Sequence, residues 1–216
     1  MLALYGHPFS SYTWKAQIAL HAIGAAHDFR MVDADHPDNA SFVQMAHPAG
    51  KFPVLRDGER TVIEATAIIE YLAACHPEGE TLIPHDTSAA VTERMIDRVF
   101  DNYVMANMQR VVDAYIANGT DPDLVVVTGG KQGLLRAYRW LETWLGTHQL
   151  PPHISLVSCA AAPALFYADW VEPIPDDCPR LAAFRADLLA HPAVSRCVEA
   201  ARPYRGFFPP GAPDRD

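Results

Sequence analysis

The sequence contains only four cysteines, and none of them stands near another. Cys75, Cys159, Cys178 and Cys197 form no Cys-x-x-Cys pair and have no histidines at a metal-ligand spacing. A zinc site or a disulfide framework needs closer or more regular spacing. The distribution is typical of reduced, mostly buried thiols in a cytoplasmic protein, and it predicts no bound metal.

Positive charge is also scarce. The chain has 17 Lys and Arg residues against 26 Asp and Glu residues, which gives a formal net charge of −9. Binding to a phosphate backbone needs a basic surface, so we expect no nucleic-acid partner. No apolar run approaches the roughly 20 residues of a membrane span, and residues 1–5 lack the charged leader of a secretory signal. We therefore expect a cytoplasmic protein that does not enter a membrane.

Half of the residues are apolar, enough for one large or two small globular domains. Residues 1–77 alternate between short strands and helices in the order β-α-β-α-β-β-α. Asp57-Gly58 stands between two strand-like runs and is a strong hairpin signal. The pattern predicts a parallel strand pair followed by an antiparallel hairpin, which is the order of a thioredoxin-like domain.

Residues 78–87 have the composition of a linker, and the remaining chain is helical in character. We predict long helical segments over 88–118 and 124–145, and shorter ones over 158–171, 178–190 and 192–201. The predicted fold class is α/β plus all-α. A thioredoxin-like domain over 1–77 precedes a linker over 78–87 and an all-helical domain over 88–216.

Two motifs flank the predicted hairpin. The first is Phe52-Pro53-Val54-Leu55, and the second opens a helix with Glu64-Ala65-Thr66. Proline supports a cis peptide bond and donates no hydrogen bond to a sheet, so a cis Phe52–Pro53 bond would turn the Phe52 backbone toward a pocket. A trans proline at an ordinary strand start is the alternative. The free amides at the start of the second helix suit a carboxylate.

With the predicted architecture, Lys51 to Leu55 and Glu64 to Leu72 resemble the cytosolic glutathione transferase family, and the resemblance extends over essentially the whole chain. It implies a cytoplasmic detoxification enzyme that forms a homodimer, with glutathione as co-substrate and no metal. The implied second substrate is a small electrophilic, partly apolar compound.

The resemblance also implies a glutathione site. Lys51 would meet the glycyl carboxylate, the Phe52-Pro53 backbone would pair with the cysteinyl unit, and Glu64 would hold the γ-glutamyl ammonium. The family usually has serine where this chain has Ala65. The missing hydroxyl removes a hydrogen bond worth about 1.5–3 kcal/mol, although the Ala65 amide remains. Glu64 as a simple first-turn charge and Lys51 as a solvated lysine are the alternatives.

The loop from His7 to Lys15 is where the family resemblance places the glutathione thiol. A free thiol has a pKa of about 8.5, so a nearby hydroxyl and a helix N-terminus are needed to stabilise the thiolate. Ser10 matches the serine of the serine-type classes, and Ser11 is the second candidate. Tyr5 and Tyr12 are further candidates, and the alternative role for either serine is to cap the first helix. No cysteine occupies this loop, which argues against glutaredoxin-like exchange.

For the second substrate, the resemblance suggests apolar walls from His7, Phe9, Tyr103 and Met108, although such residues on a long helix are more often core. Asp97 and Asp101 are expected to be solvent-facing, or to reach a ligand of a partner subunit. Ser158 matches the position of a helix cap in the family.

Two alternative functions stay open. Ser10 to Leu20 resembles the zeta-class signature of maleylacetoacetate isomerases, but Tyr12 and Gln17 depart from it. A glutathione-dependent isomerase of that type is one alternative. The other is a non-catalytic binding or interaction protein with the same fold, which the absence of a hydroxyl at Ala65 would favour.

Overall fold

The computed structural model describes all 216 residues, and it confirms a thioredoxin-like α/β domain followed by helices. The N-terminal elements follow the predicted order. They are β1 (Leu2–Gly6), α1 (Ser11–Ala22), β2 (His27–Met31), α2 (Pro37–Ala46), β3 (Val54–Asp57), β4 (Arg60–Ile63) and α3 (Ala65–Cys75).

The four strands form one mixed sheet in the order β2-β1-β3-β4. Strand β1 runs parallel to β2 and antiparallel to β3, with Leu4 opposite Leu55. The β3–β4 hairpin turns at Gly58, whose φ of 58° is a conformation that glycine adopts without steric strain. The predicted parallel pair and hairpin are therefore both confirmed.

The rest of the chain is helical. A 3₁₀ helix over Pro77–Leu82 falls mostly inside the segment predicted as a linker. The longer elements are α4 (Thr87–Val99), a π-helical segment (Phe100–Met105), α5 (Ala106–Asn118), α6 (Leu124–Leu145), α7 (Leu156–Val171), α8 (Pro179–Ala190) and α9 (Pro192–Ala201). The π-helical segment interrupts what the sequence predicts as one continuous helix over 88–118. None of these helices combines the length and the apolar character that crossing a membrane requires.

Helix α1 lies at the centre of the molecule. Every residue from Thr13 to Leu20 is buried, because α1 packs against α3 on one side and against α7 and α9 on the other. Helix α7 is buried along its whole length. The two halves of the chain consequently share one continuous hydrophobic core, which fixes the loop before α1 against the helical domain.

The start of α7 corrects one expectation. The helix is capped at Ser155 and not at Ser158, which lies buried inside its first turn. The Ser155 hydroxyl donates to Glu93 Oε2 at 2.8 Å, and the Val157 amide donates to the same oxygen at 3.0 Å. A carboxylate from α4 thus caps α7 from outside the helix, a contact that local sequence does not reveal.

All four thiols are free, and three of them are buried, in agreement with the sequence. Burial raises the pKa of Cys197 to about 12. Cys75, at the end of α3, is the exposed one. The buried thiols therefore behave as small apolar side chains.

Candidate active site

The loop between β1 and α1 is held from both halves of the molecule. The indole Nε1 of Trp14 donates to the Pro8 carbonyl at 2.5 Å, and the Tyr167 hydroxyl donates to the Phe9 carbonyl at 2.9 Å. A side chain at Gly6 would lie 2.6 Å from Thr13, so the close approach requires glycine. These contacts hold the loop in place, so its side chains are positioned before any ligand binds.

Ser10 is the N-cap of α1. Its Oγ accepts a hydrogen bond from the Thr13 amide at 3.3 Å. A hydroxyl that accepts one hydrogen bond still has its own proton to donate. Ser10 can therefore cap the helix and donate to a ligand at the same time, which unites the two roles that the sequence left open. Ser11 is the first residue of α1, and both serines line a cavity beside this loop.

This cavity, which we call the apolar cavity, has a volume of about 300 Å³. Phe9 and Met108, both predicted to contact the second substrate, lie in its wall. The other residues in the wall are Ser10, Ser11, Tyr12, Gln109, Val112, Ile116, Tyr167, Phe207, Phe208 and Pro209. The helical domain and the C-terminal tail thus complete a mostly apolar space beside the two serines.

Two predicted members of this wall lie elsewhere. Tyr103 lines a separate cavity with Val99 and Trp140. The His7 Nδ1 accepts from the Phe9 amide at 3.1 Å, and its ring packs edge-on against Tyr204. Burial lowers the pKa of His7, so its ring is neutral at pH 7 and supports the loop.

A second space, the polar cavity, has a volume of about 270 Å³. The structure brings together around it all five residues predicted to bind glutathione, namely Lys51, Phe52, Pro53, Glu64 and Ala65. The Phe52–Pro53 peptide bond is cis, as the sequence predicts. The cavity is completed by Tyr12, His47, Arg98, Asp101 and Asn102.

Glu64 has an unusual backbone conformation at the start of α3. Its φ of 70° is the one positive φ of a non-glycine residue in the chain. Such a conformation costs free energy and often marks a functional site. No side chain caps α3, which fits the missing hydroxyl at Ala65. The first amides of α3 are therefore open to a ligand.

His47 orients the Glu64 carboxylate. The His47 Nδ1 accepts from the Ala49 amide at 3.0 Å, which leaves the proton on Nε2. That nitrogen donates to Glu64 Oε1 at 3.2 Å. His47 is buried, whereas the Glu64 side chain is 71% exposed and accessible to a ligand. No sequence signal distinguished His47, because its partner lies 17 residues away.

Lys51 stands at the rim of the polar cavity. It is exposed and forms no hydrogen bond or ion pair within the chain. Its ammonium group is therefore available to a negatively charged ligand. Ala65 also lines the polar cavity, but it is buried and its side chain is a methyl group. Ala65 therefore offers a polar ligand only its backbone.

Beneath the polar cavity lies a buried charge network that corrects a second expectation. Asp97 and Asp101, predicted to face solvent, both contact Lys15 of α1. The Lys15 ammonium lies 2.5 Å from Asp97 Oδ1 and 2.8 Å from Asp101 Oδ2. The Lys15 and Asp97 side chains are only 2% and 1% exposed. Burial raises the pKa of Asp101, and Lys15 opposes that shift. Arg98 adds the second positive charge, so the network is balanced.

Tyr12 lines both cavities, which therefore adjoin at the first turn of α1. Burial, reinforced by the negative charge of Asp101, raises the pKa of Tyr12 to about 12. Its hydroxyl stays protonated at neutral pH and can donate a hydrogen bond but cannot act as a base. Tyr5, the other candidate, is buried against Phe42 and does not reach either cavity.

Comparison with known proteins supports what this geometry indicates. Residues 4–80 match the family described as glutathione S-transferase, N-terminal domain. Glutathione S-transferase 1 of Dianthus caryophyllus is 28% identical over 155 residues, which cover 68% of this chain and 66% of that protein, just under two thirds. The match over residues 4–80 and these relatives support a cytosolic glutathione transferase family for this chain.

Further relatives align over nearly the whole chain. A probable maleylacetoacetate isomerase 2 of Drosophila melanogaster is 22% identical over 98% of this chain and 89% of its own length. A glutathione S-transferase from Methylobacillus flagellatus, solved with glutathione bound, superposes with a TM-score of 0.78 at 21% identity. That superposition covers 91% of this chain and 98% of the other, and shows that the folds agree.

Proposed function

We propose that this chain is a glutathione transferase-like enzyme that activates the glutathione thiol for attack on a small electrophilic, partly apolar compound. Such a reaction serves detoxification in the cytoplasm. The supporting observation is that a polar and an apolar cavity adjoin at the first turn of α1, beside the Ser10 hydroxyl. The Methylobacillus flagellatus relative in this fold was solved with glutathione bound.

In this proposal the polar cavity holds glutathione. Lys51 meets the glycyl carboxylate, and the Phe52-Pro53 backbone pairs with the cysteinyl unit. Glu64 binds the γ-glutamyl ammonium, and the amide of Ala65 faces the neighbouring carboxylate. The sulfur then lies toward Ser10, at the boundary with the apolar cavity, where Phe9 and Met108 contact the second substrate.

The chemistry requires a thiolate near neutral pH. The thiol releases its proton to solvent, and the Ser10 hydroxyl donates a hydrogen bond to the resulting anion. The thiolate then forms a carbon–sulfur bond while a leaving group departs with its electron pair, or it adds to an activated double bond, whose π bond breaks and whose other carbon takes a proton from solvent. Lowering the thiol pKa by two units takes about 2.7 kcal/mol. One charge-assisted hydrogen bond and the positive end of α1 together supply an amount of this size.

Replacing Ser10 with alanine tests the assignment. We expect the pKa of bound glutathione to rise by about one unit, because the positive end of α1 still stabilises the thiolate, and turnover with a general electrophile at pH 6.5 to fall about fivefold. The thiolate absorbance, titrated against pH, and initial rates measure the two effects. Ser11→Ala is the matched control, because it removes a hydroxyl from the same cavity but leaves the cap. Unchanged pKa and turnover in Ser10→Ala, or a larger loss in Ser11→Ala, would overturn the assignment.

An isomerase of the maleylacetoacetate type is the second candidate, favoured by the Drosophila melanogaster relative that aligns over 98% of this chain. Assay with a cis-dienoyl substrate separates the two reactions. An isomerase regenerates free glutathione and changes the double-bond geometry, whereas a transferase consumes glutathione and leaves a stable thioether. A non-catalytic protein would show neither product, even if calorimetry detects glutathione binding.

We further propose that the protein is a homodimer. Apolar side chains spaced four residues apart form a stripe along α4 and the π-helical segment, in which Val91, Met95 and Tyr103 are exposed and Val99 is half-buried, and the exposed Trp140 of α6 lines the same cavity as Val99 and Tyr103. Tyr, Trp and Met are enriched in the centres of protein interfaces. A second copy of the chain that packs on this stripe would cover it.

Sedimentation equilibrium tests the dimer. We expect a mass of about twice 23.8 kDa for the wild type. Met95→Asp should raise the dimer dissociation constant at least about tenfold, because it places a charge in an apolar interface. Met45→Asp is the matched control, since Met45 is 81% exposed on α2, away from the stripe. A monomeric wild type, or equal dissociation by both variants, would contradict the proposal.

A further inference from the structure

Arg98 is held in a fixed position at the polar cavity. Its Nε and Nη2 donate to Asp97 Oδ2 at 3.0 and 2.5 Å, and Nη2 also lies 2.6 Å from Asp101 Oδ2. The same nitrogen lies 2.5 Å from the Thr66 hydroxyl. In contrast, Nη1 donates to no acceptor in the chain. The side chain is half exposed and lines the polar cavity, so the Nη1 donors are available to a ligand.

The acceptors that fix Arg98 are themselves immobile. Asp97 is buried and contacts Lys15, and the Thr66 hydroxyl donates to Asp97 Oδ2 at 3.1 Å. The network that holds this guanidinium therefore joins three helices, since Lys15 belongs to α1, Thr66 to α3 and Asp97 to α4. A side chain immobilised before binding loses little entropy when a ligand arrives. Guanidinium also matches a carboxylate better than an ammonium does.

Arg98 lies where the site lacks a side-chain hydrogen-bond donor for a carboxylate. Thr66 directly follows Ala65, so the contact with Thr66 places the guanidinium at the first turn of α3. There Ala65 offers no hydroxyl to a carboxylate. Glu64, one residue earlier, offers a negative charge on the same cavity. A positive and a negative group side by side complement a ligand end that carries both an ammonium and a carboxylate.

We propose that Arg98 binds the α-carboxylate of the γ-glutamyl residue of glutathione through Nη1 and replaces the hydroxyl that Ala65 lacks. Glu64 binds the adjacent ammonium, so the pair selects the zwitterionic amino-acid end of the ligand. This inference rests on the proposed function, because it assumes that the polar cavity holds glutathione. Arg98 belongs to the helical domain, so the glutathione site is completed from outside the thioredoxin-like domain.

The test compares two ligands by calorimetry on the full chain. One is glutathione, and the other is its decarboxylated analogue, 4-aminobutyryl-cysteinyl-glycine, which lacks only the α-carboxylate. We expect the wild type to bind glutathione 10- to 100-fold more tightly than the analogue. Arg98→Met should lose most of this preference, because only the backbone amide of Ala65 then remains to contact the carboxylate. Its KM for glutathione should rise by the same factor while kcat at saturation changes little.

Two further variants control for structural effects. Arg94→Met removes an arginine one turn earlier, which pairs with Glu70 outside the cavity, and should keep the wild-type preference. Ala65→Ser in the Arg98→Met background should restore part of the preference for glutathione. A folding defect would weaken both ligands equally and is thereby distinguished from loss of the carboxylate contact.

The outcomes separate this inference from the proposed function. If the wild type binds neither ligand at millimolar concentration, the proposed function fails and the inference fails with it. If the wild type binds glutathione and Arg98→Met still prefers glutathione over the analogue as strongly as the wild type does, Arg98 does not bind the carboxylate. The proposed glutathione site is then unaffected. Equal wild-type affinity for both ligands would also overturn the role of Arg98.

Discussion

Replacing Lys15 with methionine is expected to lower the free energy of unfolding by about 3–5 kcal/mol. The substitution keeps the length of the side chain but leaves Asp97 and Asp101 buried without the lysine between them. Removing one partner of a buried ion pair is strongly destabilising, and here two carboxylates would be left with the single positive charge of Arg98. Urea unfolding at pH 7, followed by circular dichroism, measures the loss.

Lys51→Met is the matched control for this experiment. Lys51 is exposed and has no ionic partner in the chain, so the same chemical change should alter stability by less than about 0.5 kcal/mol. The loss in Lys15→Met should also shrink toward acidic pH, because burial raises the pKa of Asp101 and this carboxyl group becomes neutral when it binds a proton. A loss below about 1 kcal/mol at pH 7 would mean that water or Arg98 compensates the two carboxylates.

The second large effect is expected at Glu93. Glu93→Met leaves the Ser155 hydroxyl and the Val157 amide without their acceptor at the buried start of α7. Each unsatisfied buried group costs about 1–3 kcal/mol. Burying the Glu93 carboxylate already costs free energy in the wild type, and Glu93→Met removes that cost. The net loss in the free energy of unfolding should therefore be about 2–4 kcal/mol. Thermal and urea unfolding measure it, and near-wild-type stability would contradict the capping role.

Glu93→Gln is the control and also gives a pH test. Its amide oxygen still accepts from Val157, so it should lose only about 1 kcal/mol. Burial raises the pKa of Glu93 above its value in the unfolded chain, which is about 4.3, while Val157 and Ser155 oppose the shift. The folded chain therefore holds this proton more tightly. The stability of the wild type relative to Glu93→Gln should be greatest below pH 4 and fall as the pH rises through the folded pKa.

Local signals were sufficient for the thioredoxin-like half. Asp57-Gly58 predicted the hairpin because a turn residue acts on its immediate neighbours. The residues from Lys51 to Ala65 converge on the polar cavity for the same reason, since the hairpin that separates them folds back on itself. This part of the site was predictable because its residues lie close together in the sequence.

The residues that line the apolar cavity were only partly predictable from the sequence. Met108 lines the apolar cavity, whereas Tyr103 lies in another cavity. Five residues separate them, about 140° around a regular helix, so helix geometry already argues against a shared face. The π-helical segment between Phe100 and Met105 has no signal in the sequence that would distinguish it from α-helix.

The sequence by itself determined the order of strands and helices, the hairpin, the cis Phe52–Pro53 bond and the resemblance to glutathione transferases, because each depends on short-range patterns. Only the tertiary structure decided which charges are buried. Lys15 and Asp101 are 86 residues apart, and a charged residue on a helix is expected to face solvent unless a distant partner compensates it. The position of Arg98 beside Ala65 depends on that same long-range network, so no local pattern could have shown it.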